Sequence, residues 1–159
     1  MTRWKALWRS SSEQVVLSIL ILILLPSTAY SKPNVVIFLA DDLGWNDVGY
    51  HDSSVFTPNI DALAKRGVEL DRFYVNPTCS PSRASLMTGL FATTHGVNAP
   101  IQWYTENGLP LEYKILPEFL KDAGYSTHLV GKWHLGHFTQ AYLPNQRGFD
   151  SFYGFLGGA

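Results

Sequence analysis

A nearly continuous apolar run spans residues 34–40 and stops at two acidic side chains, Asp41 and Asp42. The run is rich in branched residues, which is typical of a strand buried on both faces of a parallel sheet. Both carboxylates would then stand at the carboxyl edge of that strand, where open α/β sheets bind their ligands. Residues 68–75 alternate well enough to predict a second strand.

A helix is predicted to begin at Thr57 and Pro58 and to end at Gly67. Threonine caps helices, proline is tolerated at their first position, and glycine is a common stop. Apolar residues spaced by three and four positions form its expected buried stripe, namely Ile60, Leu63 and Ala64.

Two further helices and a strand complete the pattern. Pro81 predicts the start of a short helix that Gly89 ends, and residues 115–123 predict another. Residues 125–130 predict a third strand. The order strand, helix, strand, helix, helix, strand predicts an α/β fold with a mostly parallel sheet flanked by helices.

Residues 1–31 are typical of a cleavable export signal. The apolar stretch at residues 15–25 is too short for a bilayer span, which needs roughly 20 residues. It follows a basic start and precedes the small residues Ala29 and Ser31. We expect the secretory pathway, either lysosomal or extracellular, and no stable membrane anchor; an uncleaved signal anchor is the alternative.

The composition favours one globular domain over residues 32–159. Apolar residues make up 46% of the chain and aromatic residues 14%, and the net charge of −1 does not favour nucleic acid as a partner. Cys79 is the single cysteine, so no internal disulfide can form. The thiol must pair with another chain, stay free or be chemically converted.

Cys79 falls near the start of the helix predicted at Pro81, and Arg83 follows four residues later. Free N–H groups and the helix dipole stabilise an anion at such a position, and Arg83 would add a positive charge on the same face. The alternative is a buried thiol acting as a small hydrophobe, with Arg83 solvated.

Two other pairs carry candidate chemistry. Asp41 and Asp42 can reach one point only if the chain bends there, and their hard oxygens suit Ca²⁺ or Mg²⁺, although a simple turn is the alternative. Lys132 and His134 would share one side of a strand that continues past Val130, where they can bind an oxyanion and move a proton. A surface lysine and a core histidine are the alternative.

Five motifs in order resemble the type I sulfatase family, most closely its arylsulfatase B, I and J branch. They are PNVVIFLADDLGW at 33–45, TPNID at 57–61, CSPSR at 79–83, GYSTHLVGKWHLG at 124–136 and RGFD at 147–150. The resemblance implies that residues 32–159 are the N-terminal part of a sulfatase catalytic domain with an alkaline-phosphatase-like fold, and that the chain is truncated.

The resemblance also implies a reaction and its residues. A formylglycine-generating enzyme would oxidise Cys79 to formylglycine, the group that attacks sulfate esters of carbohydrates or aryl alcohols. Asp41 and Asp42 would bind one Ca²⁺ ion together with that residue. Arg83 would hold its hydroxyl, Lys132 would contact the sulfate, and His134 would assist a deprotonation.

The family's remaining calcium and sulfate ligands have no counterpart in this sequence. Two alternatives therefore stand beside a sulfatase: a truncated, inactive fragment, and a phosphatase or phosphodiesterase of the same superfamily. The cysteine motif argues against the phosphatase, which would use serine or threonine. The other histidines are expected to be structural, and a loop that contains Trp103, Tyr104 and Glu106 is a candidate sugar-binding mouth.

Overall fold

Two parallel strands, β1 (His128–Lys132) and β2 (Ser151–Phe155), form the sheet of the computed structural model, which describes residues 31–51 and 54–158. His128 pairs with Ser151 and Lys132 with Phe155. Gly154 lies against the carbonyl of Gly131, where a side chain has no room. The parallel pair, together with helices, confirms the predicted α/β class, and β1 confirms the strand predicted at 125–130, displaced toward the C-terminus.

The described helices are α1 (Pro58–Arg66), α2 (Cys79–Thr88), α3 (Ala92–His95) and α4 (Leu116–Asp122). Short 3₁₀ turns occupy Trp45–Asp47, Gly49–His51, Gln140–Tyr142 and Pro144–Gln146. Gly89 ends α2 in the left-handed conformation with φ 71°, as its lack of a Cβ permits. All three predicted helices are confirmed, whereas the single-turn α3 was not predicted.

The hydrophobic core lies between α2, α4 and the sheet. Trp133 is its largest member, 1% exposed, and its indole N–H donates to the carbonyls of Gly136 and Tyr142. Burying tryptophan with its polar atom satisfied is the usual arrangement. The other buried apolar residues of this cluster are Ala84, Val97, Ile101, Leu109, Ile115, Leu135 and Phe149.

Two predicted strands are wrong. Residues 31–39, which belong to a different unit from residues 40–159, carry no regular secondary structure, and Phe38 is 88% exposed. Residues 68–75 are also irregular, with Val68 and Tyr74 exposed. An apolar run becomes a strand only where a neighbouring strand supplies hydrogen bonds, and neither segment pairs with a strand among the described residues.

The predicted buried stripe of α1 is wrong as well. Ile60 is 48% exposed and Leu63 is 60% exposed, because that face of the helix lines an open cavity and not the core. Residues 1–30, which hold nearly all of the predicted export signal, lie outside the described residues. Within residues 31–51 and 54–158, no helix is both long and apolar enough to cross a membrane.

Candidate active site

Cys79 is the first residue of α2, two positions earlier than the sequence predicted, and its side chain is half-buried. Asn76 fixes the turn that leads into it. The Asn76 amide donates to the Pro81 carbonyl at 3.2 Å and to Ser85 Oγ at 2.9 Å, and Ser82 Oγ donates to the Asn76 carbonyl at 2.7 Å. Cys79 therefore sits on a braced helix start, where unpaired N–H groups favour negative charge.

Arg83 points inward from the first turns of α2 and is 9% exposed. Its Nη1 atom donates to the Lys132 carbonyl at 2.6 Å, and its Nη2 atom donates to Asp41 Oδ1 at 3.2 Å. The alternative of a solvated arginine is wrong. The Arg83 Nε–H is buried without a hydrogen-bond partner among the described residues, so it remains available to another acceptor.

Asp41 forms ion pairs with two cationic side chains, Lys132 and Arg83. Lys132 Nζ lies 2.7 Å from Asp41 Oδ2, opposite the bond from Arg83 to Oδ1. The hydrogen bond from Lys132 lowers the pKa of Asp41 most, and Arg83 adds to it, while partial burial opposes both. Asp41 is thus an anion that neutralises two largely buried positive groups.

Asp42 is exposed and adopts φ 55°, so the chain bends at this pair as predicted, although without the strand that was expected to precede it. Carboxylate oxygens are the donors that Ca²⁺ prefers. The described residues contain no group of three or more metal-ligating side chains, and both Asp41 oxygens already bind cations. The pair fits calcium in donor type and supplies only part of its shell of about 6–8 ligands.

Lys132 and His134 join the same cluster, for a reason other than strand alternation. Strand β1 ends at Lys132, and His134 turns into the left-handed conformation with φ 57°. His134 is 4% exposed, and its Nε2 atom lies 2.9 Å from the Ile101 carbonyl. Burial is the main reason that the pKa of His134 is lowered, and the charges of Lys132 and Arg83 lower it further.

The predicted residues Asp41, Arg83, Lys132 and His134 therefore interact through hydrogen bonds or charge, whereas no side-chain hydrogen bond joins Cys79 or Asp42 to them among the described residues. Sequence reasoning missed the supporting residues Asn76, Ser80 and Ile101. Ser80 lies inside the cysteine motif, which was the one available signal for it; the Ile101 backbone carried none.

A cavity of about 380 Å³ lies elsewhere, between α1 and the turns at residues 45–51. Apolar side chains such as Leu63 and Phe73 dominate its lining, and none of the clustered charges belongs to it. His51 and Glu69, paired at 2.7 Å, are its polar members. Among the described residues, the candidate residues Asp41, Arg83, Lys132 and His134 therefore lie outside this cavity.

Comparison with known proteins identifies the family. The family model described as Sulfatase matches residues 33–159, which is most of the chain. The chain belongs to the sulfatase family. This sulfatase chain is 48% identical over 130 residues to arylsulfatase J of Mus musculus, covering 81% of the chain and 22% of that protein. It is 43% identical over 155 residues to N-acetylgalactosamine-6-sulfatase of Mus musculus, covering 91% and 30%.

Solved structures agree with this membership and confirm the predicted fold class. PsFucS1 sulfatase from Pseudoalteromonas sp. superposes with a TM-score of 0.71 at 37% identity, over 96% of the chain and 31% of that structure. Ps i-CgsB in complex with k-i-k-neocarrahexaose gives a TM-score of 0.76 at 44% identity, over 80% and 29%. The sulfatase chain thus spans less than a third of the length of these relatives.

Proposed function

We propose that the protein carrying this sequence is a sulfuric ester hydrolase of the arylsulfatase type. One observation carries the proposal: the charge cluster contains a buried donor, Arg83 Nε–H, and a buried acceptor, His134 Nδ1, and neither has a partner within residues 31–51 and 54–158. Buried polar atoms are rarely left without partners, so an unpaired donor and an unpaired acceptor in one charge cluster favour a ligand group that can both accept and donate a hydrogen bond. A carbon that bears two hydroxyl groups has this complementarity.

Position 79 is the proposed source of that group. Oxidation of Cys79 by a formylglycine-generating enzyme would give an aldehyde, whose hydrate supplies one hydroxyl to attack sulfur and another to lose its proton when sulfate departs. An unmodified thiol lacks the second hydroxyl. The half-buried position of Cys79 at the start of α2 supports this assignment, because it leaves the side chain reachable.

The roles of the cationic residues follow from where their charges sit. We assign to Lys132 the contact with the sulfate and to Arg83 the hydrogen bond to the residue at position 79. Positive groups held in place before the reaction stabilise negative charge as it develops, without a reorganisation cost. Asp41 holds both cations in place through bonds of 2.7 and 3.2 Å.

His134 is the proposed proton acceptor. Its lowered pKa keeps the imidazole neutral near pH 7, as a base must be before it takes a proton. The free Nδ1 atom is the one that can accept. Protonation there would be stabilised by the Asp41 charge, which opposes the effect of the two cations.

Calcium is proposed as the resident metal ion. Asp41, Asp42 and the modified residue at position 79 would hold it, together with ligands that the described residues do not provide. Bound calcium would supply Lewis acidity and positive charge next to the sulfate. The Asp41 carboxylate would then bind both the metal ion and the two cationic side chains, since each of its oxygens has two lone pairs.

Sulfated carbohydrates are the proposed substrates, with small aryl sulfates as surrogates. The names of two similar proteins support this, since one acts on an N-acetylgalactosamine 6-sulfate and another was solved with a carrageenan oligosaccharide. Trp103 and Tyr104, exposed on the loop that follows Ile101, offer a stacking surface for a sugar ring. The signal-like residues 1–31 support a lysosomal or extracellular location.

Hydrolysis of paired aryl esters tests the proposal. The protein, made in a eukaryotic secretory host, should cleave an aryl sulfate in preference to the matching aryl phosphate, and Cys79→Ser should lose that activity while keeping its circular dichroism spectrum. Preference for the phosphate ester, or turnover by the folded Cys79→Ser protein, would overturn it.

A second candidate is sulfate binding without turnover. It is favoured by the two carboxylates, which supply only part of a calcium shell among the described residues. It predicts that isothermal titration detects sulfate binding that Lys132→Ala weakens, while no ester is cleaved.

A further inference from the structure

We infer that Ser80 is a positioning residue that sets which nitrogen of His134 accepts a proton, acting through the peptide groups of Ile101. The positioning of His134 is a role separate from those proposed for Cys79, Arg83 and Lys132. Its catalytic consequence rests on the proposed function, whereas its structural part concerns only the protonated nitrogen of one histidine. The two parts are therefore measured separately.

The first link joins Ser80 to Ile101. The Ile101 N–H donates to Ser80 Oγ at 3.0 Å, and both residues are buried, Ser80 at 0% and Ile101 at 5% exposure. A buried N–H needs an acceptor, so the serine hydroxyl holds this peptide in one orientation. Ser80 adjoins Cys79 on the first turn of α2, which also carries the proposed nucleophile.

The second link joins Ile101 to His134. The Ile101 carbonyl lies 2.9 Å from His134 Nε2. A carbonyl oxygen only accepts, so Nε2 must carry the hydrogen, and a neutral imidazole has only one. The Nδ1 atom is therefore the nitrogen without a hydrogen, and it is the buried atom that has no partner in the part of the chain that the structure describes.

The ring has little freedom to escape this arrangement. The backbone of Gly158 packs so closely on it that a Cβ atom there would lie 2.8 Å from His134 Cε1. The backbone N–H of His134 also donates to the Leu156 carbonyl at 3.0 Å. Packing against Gly158 thus sets the position of the His134 ring, and the Ile101 carbonyl determines which ring nitrogen carries the hydrogen. Ser80 in turn holds Ile101 in place.

Nuclear magnetic resonance of protein labelled with ¹⁵N at histidine tests the structural part without any substitution. At neutral pH, His134 should show a protonated, pyrrole-like Nε2 and an unprotonated, pyridine-like Nδ1. A spectrum with the hydrogen on Nδ1 would overturn the inference, because the Ile101 carbonyl could not then be the partner of Nε2.

Three serine variants test the role of Ser80. Ser80→Ala should give averaged ring signals from both tautomers, whereas Ser80→Thr, which keeps a hydroxyl, should retain the wild-type pattern. Ser82→Ala is the matched control, since Ser82 is on the same helix and bonds to the Asn76 carbonyl instead. An unchanged His134 spectrum in folded Ser80→Ala would overturn the inference; if that variant does not fold, the wild-type spectrum decides.

Kinetics then separate the inference from the proposed function. Ser80→Ala should lower kcat for an aryl sulfate about 10- to 100-fold with little change in KM, the size typical of losing a supporting hydrogen bond at a reactive group. An altered His134 spectrum with wild-type kcat would overturn the catalytic part alone. Absence of sulfatase activity in the wild type, with the expected spectra, would reject the proposed function and keep the positioning role.

Discussion

Asp41 and Lys132, 91 residues apart in sequence, are joined by a bond of 2.7 Å between Oδ2 and Nζ. The other Asp41 oxygen accepts from Arg83, which in turn donates to the Lys132 carbonyl. The Asp41 carboxylate thus links the first turns of α2, which begins at Cys79, to the end of β1. Because Arg83 and Lys132 are largely buried, each depends on Asp41 for its neutralisation.

Removal of this carboxylate should destabilise the protein. Asp41→Asn leaves two positive groups without their counter-charge, so we expect the free energy of unfolding to fall by about 1–3 kcal/mol, less than for a fully buried pair because Asp41 is 37% exposed. Asp42→Asn is the control, since Asp42 is exposed and should cost under about 0.5 kcal/mol. Urea denaturation measures both, and equal losses would contradict the role of Asp41.

The sequence predicted the helices better than the sheet. Helix α2 was found from Pro81 and Gly89, because local residues determine a helix and its ends. The apolar run at residues 34–40 gave a confident strand pattern, but a strand depends on partners that a local pattern does not contain. Strand β2 was missed because its glycine and aromatic residues do not alternate.

The buried contacts of the site were beyond sequence reasoning for a similar reason. The bond from His134 to the Ile101 carbonyl joins residues 33 positions apart through a backbone atom, which has no residue-type signature. The pairing of Arg83 with Asp41 was not predicted either, because it depends on how the bend at Asp42 meets α2. The motifs indicated the candidate residues, and the fold determines their hydrogen-bond partners.

Stability should decline as the pH falls below about 6.5, in part through His95. Burial lowers the pKa of His95, whose Nδ1 accepts from the Val97 N–H while Nε2 lies 3.1 Å from Ser85 Oγ. The unfolded chain takes up a proton near pH 6.5, so between that value and the lower folded pKa it binds more protons than the folded state. The free energy of unfolding therefore decreases as the pH is lowered across that window.

Substitution of His95 tests whether this residue contributes to the pH dependence of the unfolding free energy. His95→Gln keeps an N–H group near the Nε2 position and removes the titration, so the slope of unfolding free energy against pH should become shallower. His134, whose pKa is also lowered, should maintain part of the slope. A slope as steep as that of the wild type would exclude His95 as a contributor.

Lys132→Ala should impair sulfate recognition in the active protein. Loss of the ammonium group removes the charge that we propose contacts the sulfate, so kcat/KM for an aryl sulfate should fall about 100- to 1,000-fold. Lys121→Ala is the matched control, because Lys121 pairs at 2.7 Å with Asp150 outside the cluster. Unchanged kinetics in Lys132→Ala would remove this residue from the site.

Trp103 should distinguish sugar substrates from small ones. The ring is 78% exposed, and its backbone carbonyl lies 3.0 Å from His137 Nε2, which holds the loop. Trp103→Ala should raise KM for a sulfated oligosaccharide roughly three- to tenfold and leave that for a small aryl sulfate unchanged. Phe91→Ala, another exposed aromatic, should affect neither substrate. A matching rise for both substrates would argue against stacking.

The mass of the peptide that contains residue 79, compared with sulfatase activity in the same preparations, tests the central claim most directly. In protein from a secretory host, the account predicts a peptide lighter by the difference between a CH₂SH and a CHO group. Across preparations, activity should rise in proportion to that converted fraction. Full sulfate ester hydrolysis by protein whose Cys79 is still entirely an unmodified thiol would contradict the account.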